Sequence, residues 1–257
     1  MHPLREVHRC LPAPGALPAA MIRVPFRFRE TIATILADDP GHVEAAKAGI
    51  LAARQELEAY IARDPFFATT FDPYVPDSDD PVIVRMVDAT RKAGVGPMAA
   101  VAGTIAWAGV EAMQEAGALF GVIDNGGDIA LIADRPVRVG VHAGEAALSN
   151  RIAFVVPPQD RVLGICTSSA TVGPSISFGI ADAVTIFSHD VALADAWATS
   201  VCNQIRPDDR SVFDRVDPAE VDGIFAVMGN ETVRWGALPP LVKAIVDEQL
   251  ISAGDRQ

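Results

Sequence analysis

Apolar residues recur along this chain in two rhythms. Residues 21–28 and 30–37 are short runs rich in Val, Ile, Phe and Thr, which predicts two strands close enough to pair as a hairpin. The spacing then lengthens, and Val43, Ile50, Leu57 and Ile61 fall on one side of a helix. Asp39 stands at the N-cap position and Pro40 suits the first helical position, so this helix should run to about Arg63, where Asp64-Pro65 stops it. Phe66, Phe67 and Phe71 follow in a proline-bounded connector, where aromatics line a pocket or, more commonly, plug the end of a core. Residues 81–93 predict a shorter helix, and 99–116 a helix of small residues that another backbone or a ligand can approach closely.

The rhythm then turns to strands. Runs at 118–123 and 129–133 flank Asp124-Asn125-Gly126-Gly127-Asp128, a turn signal. Further strands are expected at 137–141, 152–156, 163–166 and 183–187. Ser188 or Asp190 can cap a helix running to about residue 205. Gly229-Asn230 joins a last β pair at 223–228 and 232–235, and 241–251 reads as a terminal helix. Residues 1–20, broken by Pro3, Pro12, Pro14 and Pro18, read as an irregular lead-in to one domain over 21–257. Hairpin signals dominate the strand connections, so the expected class is α+β with largely antiparallel sheet.

Composition narrows the partners. A formal charge of −12 argues against nucleic acid and anionic membrane surfaces, which need clustered Lys and Arg. Cys10, Cys166 and Cys202 show no CxxC or metal-ligand spacing, as expected in a reducing compartment. No apolar run reaches transmembrane length and the N-terminus lacks a signal-peptide core, so a cytoplasmic protein is expected.

Candidate chemistry concentrates between residues 164 and 205. Asp195 and Thr199 are four apart, which on a helix puts two oxygen side chains on one face. They could ligate a hard cation such as magnesium. Equally, Asp195 could serve the helix dipole and Thr199 bond back to its own turn. Gly126, Gly127 and Asp128 form either an ordinary type I′ turn or a site of close backbone approach to a ligand. Thr167, Ser168 and Ser169, with Gly164 and Gly173 nearby, could offer hydroxyls and amides to a phosphate, although no P-loop motif is present. A Ser-His-Asp hydrolase using His142 or His189 lacks a GxSxG elbow. Cys166 reads as a small buried residue rather than a nucleophile.

Four segments in order resemble the ApbE-like flavin transferase superfamily. IDNGGDIAL resembles its GGD strand-turn-strand, ICTSSATVG its ATSG segment and VALADAWATSV its ADALAT helix, while GPMAAVAGTIAWAGVEAM stands where that family has GxIAKGYAxD. ETIATILAD and RQELEAYIARDPFF are more similar still to one branch, the uncharacterised protein family numbered 0280. The resemblance spans about residues 20–250 and implies a duplicated T-fold-type α+β arrangement with ligand between the halves. It implies magnesium held by Asp195, Thr199 and a backbone carbonyl near Ala99, with Gly126, Gly127 and Asp128 near a nucleotide such as FAD. The activity it implies is transfer of FMN from FAD to a threonine of a target protein. Two departures weigh against that reaction. Ala102 precedes Gly103 where the family has lysine, and VGPSISFG holds no counterpart of the family histidine.

Three readings follow: a magnesium-assisted enzyme on a flavin-, nucleotide- or pterin-like small molecule; a non-catalytic protein that binds or senses such a cofactor; or a structural subunit that has lost the site. Fold analogy adds a homodimer as the expected assembly.

Overall fold

A computed structural model describes residues 21–171 and 179–246; the lead-in, Cys10 and Gly173 lie outside the described residues. Strands β1 (Ile22–Phe28) and β2 (Thr31–Ala37) form the expected antiparallel hairpin, turning at Arg29-Glu30. Helix α1 (Pro40–Arg63) follows, with the Asp39 carboxylate accepting the Gly41 N–H at 2.7 Å. This supplies one of the first-turn amides with the acceptor that the helix itself cannot provide. Helix α2 (Pro81–Ala93) opens in the same way on Asp80 and ends at Gly94, whose φ of 73° suits glycine. A 3-10 turn (Pro97–Ala100) then leads into α3 (Val101–Glu115). The small residues of α3 serve backbone approach. A Cβ at Gly49 of α1 would lie 2.6 Å from the Ala108 carbonyl oxygen, and one at Gly109 would lie 2.4 Å from Ile123.

The remaining elements are β3 (Phe120–Asn125), β4 (Asp128–Ala133), β5 (Val137–Gly140), β6 (Ile152–Val156), β7 (Gln159–Ser168), β8 (Ala183–Ser188), α4 (Val191–Gln204), β9 (Gly223–Met228), β10 (Glu231–Gly236) and β11 (Leu241–Lys243). Asp190 caps α4, accepting the Leu193 N–H at 2.9 Å, while Ser188 Oγ accepts the Asp190 N–H. The terminal helix expected at 241–251 is not borne out at its start. Leu241–Lys243 is strand β11, antiparallel to β6, and 247–251 lie outside the described residues. Leu241 is drawn into strand geometry because it packs with Phe154 and the apolar layer beneath, a tertiary contact that overrides local helical spacing.

Eight strands form one sheet in the order β1-β2-β3-β4-β7-β8-β9-β10, and β11-β6-β5 form a second. Every pairing is antiparallel. The large sheet consists of two four-strand halves, each with its helices inserted between its second and third strands. The four α-helices among the described residues belong to the core on one face, where Ala33, Ile35 and Ile123 meet them. The small sheet lies on the other face. There Phe154 of β6 packs edge-on against Phe187 and Phe225, at centroid distances of 4.9 and 5.4 Å.

Of the connector aromatics, Phe67 is fully buried, edge-on to Tyr60, while Phe66 and Phe71 are exposed. Among the described residues, no single helix is long and apolar enough to cross a membrane.

Candidate functional site

Register decides which side chains share a face. Thr34 pairs with Asp124, Asp124 with Ile129, Ile129 with Ile165, and Thr167 with Thr185. Their side chains stand in rows on the face away from the helices. Along this face runs a groove of about 990 Å³, walled by Ile32, Leu36, Val137, Val139 and Phe154, with the Gly126-Gly127 turn and Ala102 and Ile105 of α3 also in its lining. Volume and lining match the general pattern of a small-molecule site, apolar with a few convergent polar groups.

The glycine turn is a type I′ hairpin turn. Gly126 and Gly127 have φ of 69° and 104°, the pair of positive values a type I′ hairpin requires. Gly127 also donates to Asp124 Oδ1 at 2.9 Å, and both glycines line the groove. Thr167 and Ser169 line it as well, and the Thr167 hydroxyl is 3.0 Å from that of Thr185. Ser168 does not line it. Alternation along β7 puts it with Cys166 on the helix side.

Behind the turn, Asp128, Cys166 and Asp195 meet between the sheet and α4. Asp195 Oδ2 accepts the Gly103 N–H at 2.8 Å, and the Ala102 N–H also reaches this carboxylate. Helix α3 has no side-chain cap of its own, since Ala100 occupies that place, so Asp195 caps it from another helix. Burial nevertheless pushes the Asp195 carboxyl up to about 7, against the opposing pull of the two amides. Asp128 accepts the Thr167 N–H at 3.2 Å, yet burial, and then the Asp195 charge, hold its carboxyl well above the usual range. Among the described residues, no Lys or Arg bears on either carboxylate. Burial, with both carboxylates beside it, also pushes the Cys166 thiol well up, which leaves a poor nucleophile.

Thr199 follows Asp195 by one turn of α4 and is half-buried, and Ala99 sits in the 3-10 turn that packs on α4. Among the described residues, no three His, Cys, Asp or Glu side chains form a metal cluster. The implied set draws instead on one carboxylate, one hydroxyl and one carbonyl. His142 lines the groove and lies 3.1 Å from Asn150 Oδ1, whereas His189 is tied to the Val162 carbonyl.

Two groove residues escaped the sequence. Asn125 is buried and donates to the Ala102 carbonyl at 3.1 Å, tying the turn to the start of α3. Its place inside a turn motif gave a sufficient local reason for it. Thr185 is a hydroxyl in the middle of the otherwise mostly apolar strand AVTIFS, and the β7–β8 register that pairs it with Thr167 was the signal that could have found it.

This arrangement of sheets, helices and groove is the fold of ApbE-type flavin transferases. The chain superposes on the Pseudomonas stutzeri flavinyl transferase ApbE with a TM-score of 0.57 at 12% identity, covering 91% of this chain and 98% of that one. For the flavin transferase ApbE of Vibrio cholerae the TM-score is 0.55 at 12% identity, with coverage of 86% and 98%. Within that fold the chain belongs to a particular family: residues 17–224 match the model described as AbpE bacteria. It is 67% identical over 237 residues to a UPF0280 protein of Methanoregula boonei, covering 92% of this chain and all of the relative. It is also 59% identical over 235 residues to a UPF0280 protein of Methanosphaerula palustris, covering 91% and 99%.

Proposed function

We propose that this protein is a magnesium-assisted enzyme acting on a flavin-, nucleotide- or pterin-like ligand held in the groove. The observation that carries this reading is the pair of buried carboxylates, Asp195 and Asp128, the second of which lines the apolar groove, with no cationic side chain among the described residues bearing on them. Unneutralised buried charge is costly, and a divalent cation removes that cost. The donor set fits a hard cation, since Asp195, Thr199 and the Ala99 carbonyl offer only oxygen. When bound, the cation would offset negative charge on a phosphate or enolate-like oxygen of the ligand. The chain's own residues do the rest. Gly126 and Gly127 let the backbone come close, and the Thr167–Thr185 hydroxyl pair offers a hydrogen bond inside the groove. The names of the solved neighbours supply flavin as the leading ligand class.

A second reading is a non-catalytic cofactor-binding or sensing protein. Ala102, which stands where the flavin transferases resembled above carry lysine, lines the groove and supplies no charge or proton there. Both readings take the protein as a cytoplasmic homodimer with a single domain over 21–257.

Calorimetric titration of FAD, FMN and pterins, with and without Mg²⁺, tests the proposal. Binding should require Mg²⁺ and should lose that requirement in Asp195→Ala. Absence of binding by all three classes sinks both readings. A ligand that binds but is recovered unchanged by mass spectrometry after long incubation favours the second.

A further inference from the structure

The groove continues past the glycine turn onto the helix side of the large sheet. There Ile61 of α1, Met98 of the 3-10 turn, and Val101 and Ile105 of α3 line it. Ile61, Met98 and Val101 are only partly covered by the core they pack against. Partly covered apolar side chains around a concave space suit a flat heterocycle.

One polar side chain stands at this end with its orientation fixed. Asn125 donates from Nδ2 to the Ala102 carbonyl at 3.1 Å. A carbonyl oxygen only accepts, so the amide cannot turn over, and Oδ1 is left as an acceptor. Asn125 is 7% exposed and lines the groove. Its Oδ1 accepts no hydrogen bond among the described residues, yet it is not sealed off as a buried atom. The little surface this residue keeps therefore puts the oxygen at the groove. The Gly127 N–H, the turn's own donor, is already given to Asp124 Oδ1. Asp128 stands opposite Asn125 in the β3–β4 ladder and lines the groove too. A carboxylate likewise accepts, so this end of the groove calls for donors. A nearly enclosed acceptor without a donor is costly, and a site built around one rejects molecules that cannot supply the donor.

We propose that Asn125 Oδ1 is a specificity determinant that accepts an N–H from the edge of the ligand's heterocycle, a ring imide or an amino group, while the ring lies against Met98, Val101 and Ile105. This rests on the groove being the ligand site. It adds a requirement that the magnesium corner does not make, namely a nitrogen-bound hydrogen at the ring edge.

The test titrates the full-length protein with Mg²⁺ against matched pairs in which methylation removes the edge donor. The pairs are FMN and its imide-methylated analogue, AMP and its N-dimethylated analogue, and 6-hydroxymethylpterin and its ring- and amino-methylated analogue. In at least one pair the parent should bind about tenfold or more tightly. In Asn125→Leu, which is close in size and has no acceptor, the two members of that pair should bind within about twofold of one another. The ratio is taken within one protein, so a loss of stability alone does not move it. Asn125→Ala removes the same acceptor and gives the same reading should the leucine variant not fold. Equal affinities within every pair in the wild type, failure to bind included, overturn the assignment, as does a preference that survives in the variant. Repeating the titrations in EDTA and in Asp195→Ala separates the two proposals. A preference that persists there leaves Asn125 standing and sinks the magnesium reading. Binding that requires Mg²⁺ but is equal within every pair does the reverse.

Discussion

The backbone N–H of Gly103 donates to Oδ2 of Asp195 at 2.8 Å, joining residues 92 positions apart and capping α3 with a side chain from α4. The contact requires glycine, since a Cβ on residue 103 would lie 2.9 Å from Asp195 Cβ and 2.9 Å from the Val191 carbonyl oxygen. Replacing glycine by alanine in a helix ordinarily stabilises by up to about 1 kcal/mol. Gly103→Ala should instead destabilise by about 1–3 kcal/mol, as overpacking does. Urea unfolding gives the sign, and calorimetry should show Mg²⁺-dependent ligand binding lost with it.

Asp195 has two separable tasks, capping and charge. Asp195→Asn keeps an acceptor for the Gly103 amide, so the metal-free variant should be at least as stable as wild type at pH 8 while losing its thermal response to Mg²⁺. Asp195→Ala leaves a buried amide unsatisfied, which costs about 1–3 kcal/mol. Thermal shifts of the two variants side by side check this ordering. Equal stability of both would remove the capping role.

Stability should depend on pH in a direction unusual for a carboxylate. The Asp195 carboxyl is raised to about 7 in the folded chain, above its ordinary value of 3.8. The unfolded state therefore gives up the proton first as pH rises. The contribution is fully present below the ordinary value and is lost as pH climbs through about 7. In EDTA the wild-type melting temperature should fall between pH 5.5 and 8.5 more steeply than that of Asp195→Asn. Parallel curves would contradict the burial of this charge.

Cys166 and Cys202 are both buried thiols. Lack of access should protect both from iodoacetamide in the native protein at pH 8, reinforced at Cys166 by its raised thiol pKa, with labelling appearing on denaturation. Mass spectrometry of the peptides reads this directly, and rapid native alkylation of Cys166 would contradict its placement behind Asp128.

Phe154 holds the small sheet to the large one through two edge-on aromatic contacts. Phe154→Ala should cost about 3–5 kcal/mol. Because Phe154 also walls the groove, ligand affinity should fall with stability. Denaturant unfolding and titration of the same sample report both.

Much of the fold was legible because its signals are local. The Asp39 cap, the Asp64-Pro65 stop, the Gly126-Gly127 turn and the Asp190 cap each act within a few residues, and each appears where the sequence puts it. The extent of β7, which runs from Gln159 to Ser168, was not legible from its short apolar segment. Its outer residues are strand because β4 and β8 supply ladder partners. Leu241–Lys243 illustrates the same limit at the other end of the chain.

The sequence by itself determined the element types, the antiparallel preference and the small-residue character of α3, because propensity, capping and turn geometry are properties of neighbouring residues. Its motif order also pointed to the ApbE-like fold. Only the tertiary structure decided that Asp195 caps α3, that Asp128 shares its buried site and that Thr185 meets Thr167. It also decided that Ser168 turns away while Asn125 borders the groove. Those facts depend on strand register and on helix-to-helix approach. A one-residue change of register would exchange the two faces of a strand, and no local signal encodes which strand of a distant half becomes its neighbour.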